Sequence, residues 1–416
     1  MMQPACFETT IDRKNTLSVK YNKSAIASIC GNPDAAPFWV ADMDFQAPPA
    51  VRSAASALNE HGIYGYSNAA DEREVFSAWA QRRHNMLLDP SEIVISQGVL
   101  TSLATLVELL TDEGDGVIVG LPAYQPFLSI VASQKRNALL WPLIYDEEGA
   151  QFRLDWEALD RLLVQAKLLI FCSPHNPTGL TFSEEELIGL CALAAKHQVA
   201  IISDEIHADL SFNSHNCLLD AAKSTGCKAA VLMAPSKTFN IAGEHYSLTL
   251  FSDPDLQQRF VRRREILRAN KPSITATTLA LAAYQECDRW LDALIDLLQD
   301  RVSLIERYLY EYAPSLSFIT PNASFIGLID GWRILHFVEQ DAALHPDLYA
   351  SERSPSGGIL SRFFGHRASV CMNDGSWFGG PEYGRFVRFN FAAPEQQVLW
   401  ALDRIATAVT EVRKRY

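Results

Sequence analysis

No run of roughly 18 or more apolar residues occurs in the 416-residue sequence, so no segment is a candidate for a membrane-spanning helix. Residues Met1 to Lys20 mix charged and polar side chains and lack the apolar core of a secretory signal, which makes a cytoplasmic protein the expectation. Basic residues are in the minority. Lys and Arg number 36 against 49 Asp and Glu, for a net charge of −13. A surface of that sign repels phosphate backbones, so general nucleic-acid binding is not expected, whereas a local pocket for one small phosphate is compatible with it. Paired cysteines are missing too. Cys6, Cys30, Cys172, Cys191, Cys217, Cys227, Cys287 and Cys371 are scattered with no CxxC among them, so neither a metal site nor a redox motif is indicated. In a chain of this length they read as small hydrophobes in a reducing compartment. Internal repeats and low-complexity segments are also absent.

What is present is an ordinary globular composition, 48% hydrophobic and 20% charged, over a length that suggests about two domains. Short β-branched runs alternate with helical patterns through the middle: Ile93–Ser96, Val117–Gly120, Leu168–Cys172, Val199–Ser203, Ala230–Ala234 and Ser247–Phe251. Between two of them, Ser183 and Glu186 have capping-box spacing, and Leu187, Leu190, Cys191 and Ala194 form an apolar helical stripe. Strands alternating with helices imply an α/β fold with a mostly parallel sheet covered on both faces. The pattern changes near residue 280. A helical stretch over Thr278–Glu311 leads to a shorter strand region and a terminal helix over Pro394–Arg413. The reading is an N-terminal arm with part of a small domain at 1–48, a large domain at 49–280 and a small α+β domain at 281–416.

In such sheets ligands bind beyond the carboxyl ends of the strands, and the chemically suggestive residues fall there. Lys237, in Ala234–Asn240, follows a buried strand with no nearby acid. Partial desolvation lowers a lysine's pKa and lets it attack a carbonyl, although taken alone it reads rather as a surface lysine at a strand end. Asp204, in Ser203–His207, ends a strand and is placed to pair with a protonated ring nitrogen, or to cap a turn. Ser173–Gly179 is a Pro/Gly-fixed loop presenting the Asn176 amide. Gly98 opens a helix whose free amides suit a phosphate. Tyr124, in Pro122-Ala123-Tyr124, offers a ring for stacking, or is a core tyrosine.

Singly these signals are weak; their order and shared position at strand ends are not. Together with Val40–Phe45, Tyr64-Gly65-Tyr66, Asn373–Gly379 and Phe386–Asn390, they resemble the fold-type I pyridoxal 5′-phosphate (PLP) enzymes, in particular the cystathionine β-lyases and related C–S lyases. The resemblance runs from residue 40 to 390. It implies PLP as cofactor, a mostly parallel seven-stranded sheet in the large domain, and a homodimer acting on an amino acid. It casts Lys237 as the lysine that carries the cofactor and shuttles the proton. Asp204 becomes the partner of the ring nitrogen, and Asn176, with His207 close by, the donor to the phenolate oxygen. Tyr124 is the stacking ring, Gly98 and Val99 are the phosphate-cup amides, and Ser236 is a further cofactor contact. Tyr66 reaches the neighbouring subunit's phosphate as part of the catalytic set. Arg388 clamps the substrate α-carboxylate, for which a bidentate guanidinium is suited. Asp42 is placed with the substrate contacts.

Several positions depart from that pattern. Glu244, His245 and Tyr246 follow Ala242-Gly243, where apolar or small residues are usual. His245 lies where other branches of the fold carry a phosphate-binding arginine, and a solvent-facing loop is the alternative. Ala323–Leu328 lacks the usual tyrosine and tryptophan, Gly331–Ala368 is longer than usual, and Ala393-Pro394-Glu395 stands where Pro-Arg is common. Clustered on the substrate side, these changes imply retained PLP chemistry on an altered substrate, with Glu244 and His245 among its contacts and a natural substrate larger or more polar than cystathionine. The first expectation is β-elimination from a sulfur amino acid, in a specialised biosynthetic pathway. γ-Elimination or replacement, and transamination, are the alternatives. A non-catalytic binding protein ranks below them because Lys237, Asp204 and Arg388 are all present.

Overall fold

A computed structural model describes residues 7–350 and 357–416; Cys6 and Ser354-Pro355-Ser356 lie outside the described residues. The central sheet has seven strands: β1 Val94–Ser96, β2 Gly116–Leu121, β3 Asn137–Pro142, β4 Ala166–Cys172, β5 Ala200–Asp204, β6 Ala229–Met233 and β7 Ser247–Phe251. Their spatial order is β1-β7-β6-β5-β4-β2-β3. Only β7 runs antiparallel to its neighbours; the β2, β3, β4, β5 and β6 pairings are parallel. Strands β5, β6 and β7 are buried along their whole length, as expected of strands covered on both faces. Six of the seven coincide with the β-branched runs of the sequence. The exception, β3, is an edge strand with mostly exposed side chains ending in Pro142, so neither alternation nor a solid apolar run marks it.

Six helices matter for the site and its surroundings: α1 Glu72–His84, α2 Val99–Leu110, α3 Glu184–Lys196, α4 Ile274–Glu286, α5 Asp288–Tyr312 and α6 Glu395–Arg415. The capping box at α3 is formed. Ser183 Oγ accepts from the Glu186 amide at 3.2 Å, and Glu186 accepts from the Ser183 amide at 2.8 Å. The single helical stretch expected over Thr278–Glu311 is instead two helices broken at Cys287. No Gly or Pro marks the break. It falls where a helix buried around most of its circumference (α4) gives way to one with a single buried stripe (Leu291, Leu294, Leu298, Val302, Ile305, Leu309 in α5).

A second, antiparallel sheet contains β8 Ser317–Ile319, β9 Ile326–Asp330, β10 Asn373–Asp374 and β11 Phe386–Asn390, in the order β8-β9-β11-β10. The N-terminal residues are tied to this half. Ala36-Pro37 pairs in parallel with Val370-Cys371, and Phe7 packs against Trp290 with ring centroids 5.4 Å apart. The described residues of the long 331–368 stretch form mostly helical turns around buried Asp341, which accepts two hydrogen bonds from Arg367 and one each from Tyr349 and Tyr416.

Candidate active site

Loops beyond the carboxyl ends of β4, β5 and β6 meet β11 and the segment Trp39–Ala41 around a cavity of about 470 Å³. Asp204 is the last residue of β5, Lys237 follows β6, Asn176 follows β4, and Arg388 sits mid-strand in β11. All four line the cavity, as do His207, Tyr124, Gly98, Val99, Ser236, Glu244 and His245.

The electrostatics are those of a desolvated site. Burial pushes the Lys237 ammonium down to about 8; nearby Arg388 adds to the effect, against the opposing pull of Asp42 and Asp204. Its Nζ donates to the Ala41 carbonyl at 2.6 Å. Burial pushes Asp204 up to about 7, opposed by the Ile206 amide, which donates to Oδ1 at 3.1 Å, and by Lys237. His207 is driven down to about 3, first by burial and then by Lys237 and Arg388, so it is a neutral imidazole; its Nδ1 lies 3.0 Å from Ser324 Oγ.

Arg388 is the most telling group. Its guanidinium is buried, and every protein partner is neutral. It donates to Asn176 Oδ1 at 3.1 Å, to the Trp39 carbonyl at 2.7 Å and to Asn373 Oδ1 at 3.0 Å, and it stacks on Phe378 at 4.9 Å. Among the described residues no carboxylate pairs with it, and its Nε has no partner. Burial without a counter-ion pushes it down to about 10. An uncompensated buried charge is costly, and a site that keeps one is built to receive an anion.

Gly98 precedes α2 with φ 84° and ψ 148°, a conformation open essentially to glycine alone. Its turn leaves the first amides of α2 unpartnered by the helix, the arrangement that binds phosphate. His245 packs on this turn; a Cβ placed on Gly98 would meet the His245 Cβ at 3.6 Å. The cavity thus offers an amine of lowered pKa, a buried carboxyl, an aromatic face, free helix amides and an unpaired guanidinium. That donor set fits PLP with an amino acid.

The model of aminotransferase class I and II matches residues 38–357. The chain belongs to that family. Among its relatives, cystathionine beta-lyase PatB from Bacillus subtilis is 35% identical over 332 residues, covering 78% of this chain and 84% of the relative. The PLP-containing structure of cystalysin from Treponema denticola superposes with a TM-score of 0.86 at 27% identity, covering 98% of this chain and 99% of that one. The PLP-bound C–S lyase from Staphylococcus hominis superposes with a TM-score of 0.83 at 26% identity, covering 97% and 99%.

Two residues that the family resemblance casts in the site stand apart from this cavity. Asp42, assigned to the substrate, is engaged within the protein. Arg13 donates to both its oxygens, at 3.0 and 2.7 Å, and Lys20 Nζ lies 3.4 Å away. Burial raises its pKa, but these cations outweigh that and hold the carboxyl below its ordinary range. Its reach into the site is electrostatic, through Lys237. Tyr66 does not line the cavity of its own chain; its side chain is 98% exposed, beside exposed Ile63 and Tyr64. Glu244 is half-buried, with Ser273 Oγ 3.5 Å from its Oε2, and His245 is exposed at the cavity rim.

Other contributors went unassigned in the sequence. Trp39 supplies a carbonyl to Arg388 and Asn373 a side-chain acceptor, and Trp377 lines the cavity. Ser324, which holds His207, has φ 76°. It lies in the Ala323–Leu328 stretch that departs from the family pattern, and that departure was its only signal.

Proposed function

We propose that the protein is a PLP-dependent C–S lyase that cleaves a sulfur-bearing amino acid by β-elimination. The observation that carries this reading is buried Arg388, without a counter-ion, in one cavity with Lys237 and Asp204. Lys237 holds the cofactor covalently. Asp204 faces its ring nitrogen, and its tendency to take up a proton matches a partner that brings one. Asn176 uses Oδ1 for Arg388, which leaves Nδ2 to donate to the cofactor's phenolate oxygen. Tyr124 and Ser236 contact the cofactor, and the amides at Gly98 and Val99 hold its phosphate. Bound there, PLP supplies the electron sink for a carbanion at the substrate's Cα.

Arg388 would take the substrate carboxylate and so set which Cα bond is aligned for cleavage. When not bonded to the cofactor, Lys237 would be an amine whose pKa burial lowers to about 8, suited to remove the Cα proton. The Cβ–S bond then breaks, its electron pair leaves with the sulfur, which is protonated to the thiol, and water hydrolyses the remaining aminoacrylate to pyruvate and ammonia. Glu244 and His245 contact the distal part of the substrate at the rim. Tyr66 completes the site of a second subunit in a cytoplasmic homodimer, which gives its exposed ring a role. The chain is divided into an arm with part of the small domain (1–48), a cofactor domain (49–280) and a small domain (281–416).

The test is product analysis of the PLP-loaded protein with S-substituted cysteines and cystathionine. Stoichiometric thiol and pyruvate support β-elimination. Product that appears only with an added keto acid assigns transamination, and 2-oxobutanoate assigns γ-elimination; either result replaces this reading.

A further inference from the structure

Behind the cavity wall lies a second set of polar side chains that the chemistry above does not use. Glu205 is buried; its Oε1 accepts from Ser203 Oγ at 2.9 Å and from the Leu218 amide at 3.0 Å, and its Oε2 lies 2.7 Å from His215 Nε2. Asp209 is buried as well. On Oδ1 it meets His84 Nε2 at 2.7 Å and Trp79 Nε1 at 2.9 Å, and on Oδ2 Thr238 Oγ1 at 2.9 Å. The two imidazoles meet edge to face, with ring centroids 5.7 Å apart. The result is two hydrogen-bonded groups, Glu205–His215 and His84–Asp209–Thr238, joined by that ring contact, with His84 Nδ1 making no hydrogen bond among the described residues. The set begins at the residue after Asp204 and ends at the residue after Lys237, and none of its members lines the cavity.

Two carboxylates buried this deeply are costly. Apolar packing of the same volume is often as stable or more so, which makes stability alone a poor reason for the arrangement. The hydrogen bonds fix directions as well. Asp209 joins three separate parts of the fold: α1 through Trp79 and His84, its own segment after β5, and the turn carrying Lys237 through Thr238. Burial pushes Asp209 upward, but the bonds from His84, Trp79 and Thr238 outweigh it and hold the group below the ordinary carboxyl range, so it is an anion that needs all its donors.

We propose that this buried set is a positioning device that locks Lys237 relative to Asp204 from behind, with Thr238, Asp209 and His84 setting the lysine's placement without touching cofactor or substrate. The proposal rests on the reading of Lys237 as the cofactor lysine. Thr238→Val keeps the side-chain shape and removes the bond to Asp209. Three quantities are read on the PLP-loaded protein: visible circular dichroism per bound cofactor, kcat and KM separately, and the thermal midpoint. The expected result is retained cofactor with a reduced visible ellipticity. kcat falls by about tenfold to a hundredfold, the scale of a small misplacement of a reacting group, while KM stays within about twofold. Thr238→Ser restores both signals. Should Thr238→Val fail to fold, Asp209→Asn, which keeps the shape and removes the charge, is read the same way. Wild-type ellipticity and kcat in a folded variant, with only the thermal midpoint lowered, would reduce the network to core stability and overturn the proposal. A wild-type protein that takes up no PLP on Lys237 would overturn the functional reading and the positioning claim together.

Discussion

Asp204 and Lys237 are opposite charges buried in one cavity, and burial drives both toward neutrality. For Asp204 the consequence can be measured in the cofactor-free protein. A carboxyl raised from 3.8 to about 7 contributes stability that is fully present below 3.8 and is lost as the pH rises through about 7. Asp204→Asn is neutral throughout. Its thermal midpoint should therefore gain on that of the cofactor-free wild type as the pH rises from about 4 to about 7, and then level off. Loading PLP should remove the advantage, because the ring nitrogen gives the carboxylate its partner. Melts of both proteins across that range check this, and a pH-independent difference contradicts it. At this scale the sequence was informative where a residue ends a strand: Lys237, Asp204 and Asn176 are at the cavity because β6, β5 and β4 deliver them there. It was silent where the partner comes from far along the chain. The resemblance casts Asp42 as a substrate contact, but Arg13 and Lys20 fold back onto it, and nothing local in the sequence announces that pairing.

Elements were legible in proportion to how uniform their burial is. The buried strands β4 and β6 are near-continuous apolar runs, and α3 carries both its cap and its stripe in plain sight. The edge strand β3 and the break at Cys287 depend on tertiary packing and leave no local trace. The turn into α2 joins element to function, because Gly98 starts the helix, lines the cavity and, in the proposed reading, shapes the phosphate cup. Its backbone lies in a region essentially closed to other residues, so Gly98→Ala should destabilise the protein by about 1–3 kcal/mol. It should also weaken PLP retention on dialysis, because the amides of α2 are re-aimed. Urea unfolding and a dialysis time course test this. Wild-type values in both would show that the turn tolerates a side chain and that the phosphate is held elsewhere.

At the scale of the whole molecule, Ile63, Tyr64 and Tyr66 are exposed on the chain and Tyr66 does not line its cavity, which the proposed reading explains by Tyr66 serving a second subunit. Lys237→Ala and Tyr66→Ala variants should each be inactive as purified. Mixed and allowed to exchange subunits, they should regain activity, since one site of each mixed dimer draws its lysine from one subunit and its tyrosine from the other. No recovery after verified exchange, or full activity of a monomer, would contradict the shared site. Contacts far apart in sequence also bear on the site: Phe7 packs on Trp290, and Arg13 and Lys20 bind Asp42 in the segment whose Ala41 carbonyl meets Lys237.

The central claim is that one particular lysine carries the cofactor, and it can be read directly. The PLP-loaded protein is reduced with borohydride, digested, and its peptides are mapped by mass spectrometry. The account predicts a pyridoxyl-phosphate increment on Lys237 and on no other lysine, and its loss in Lys237→Ala. An increment on a different lysine, or none in a protein that binds PLP, would contradict it.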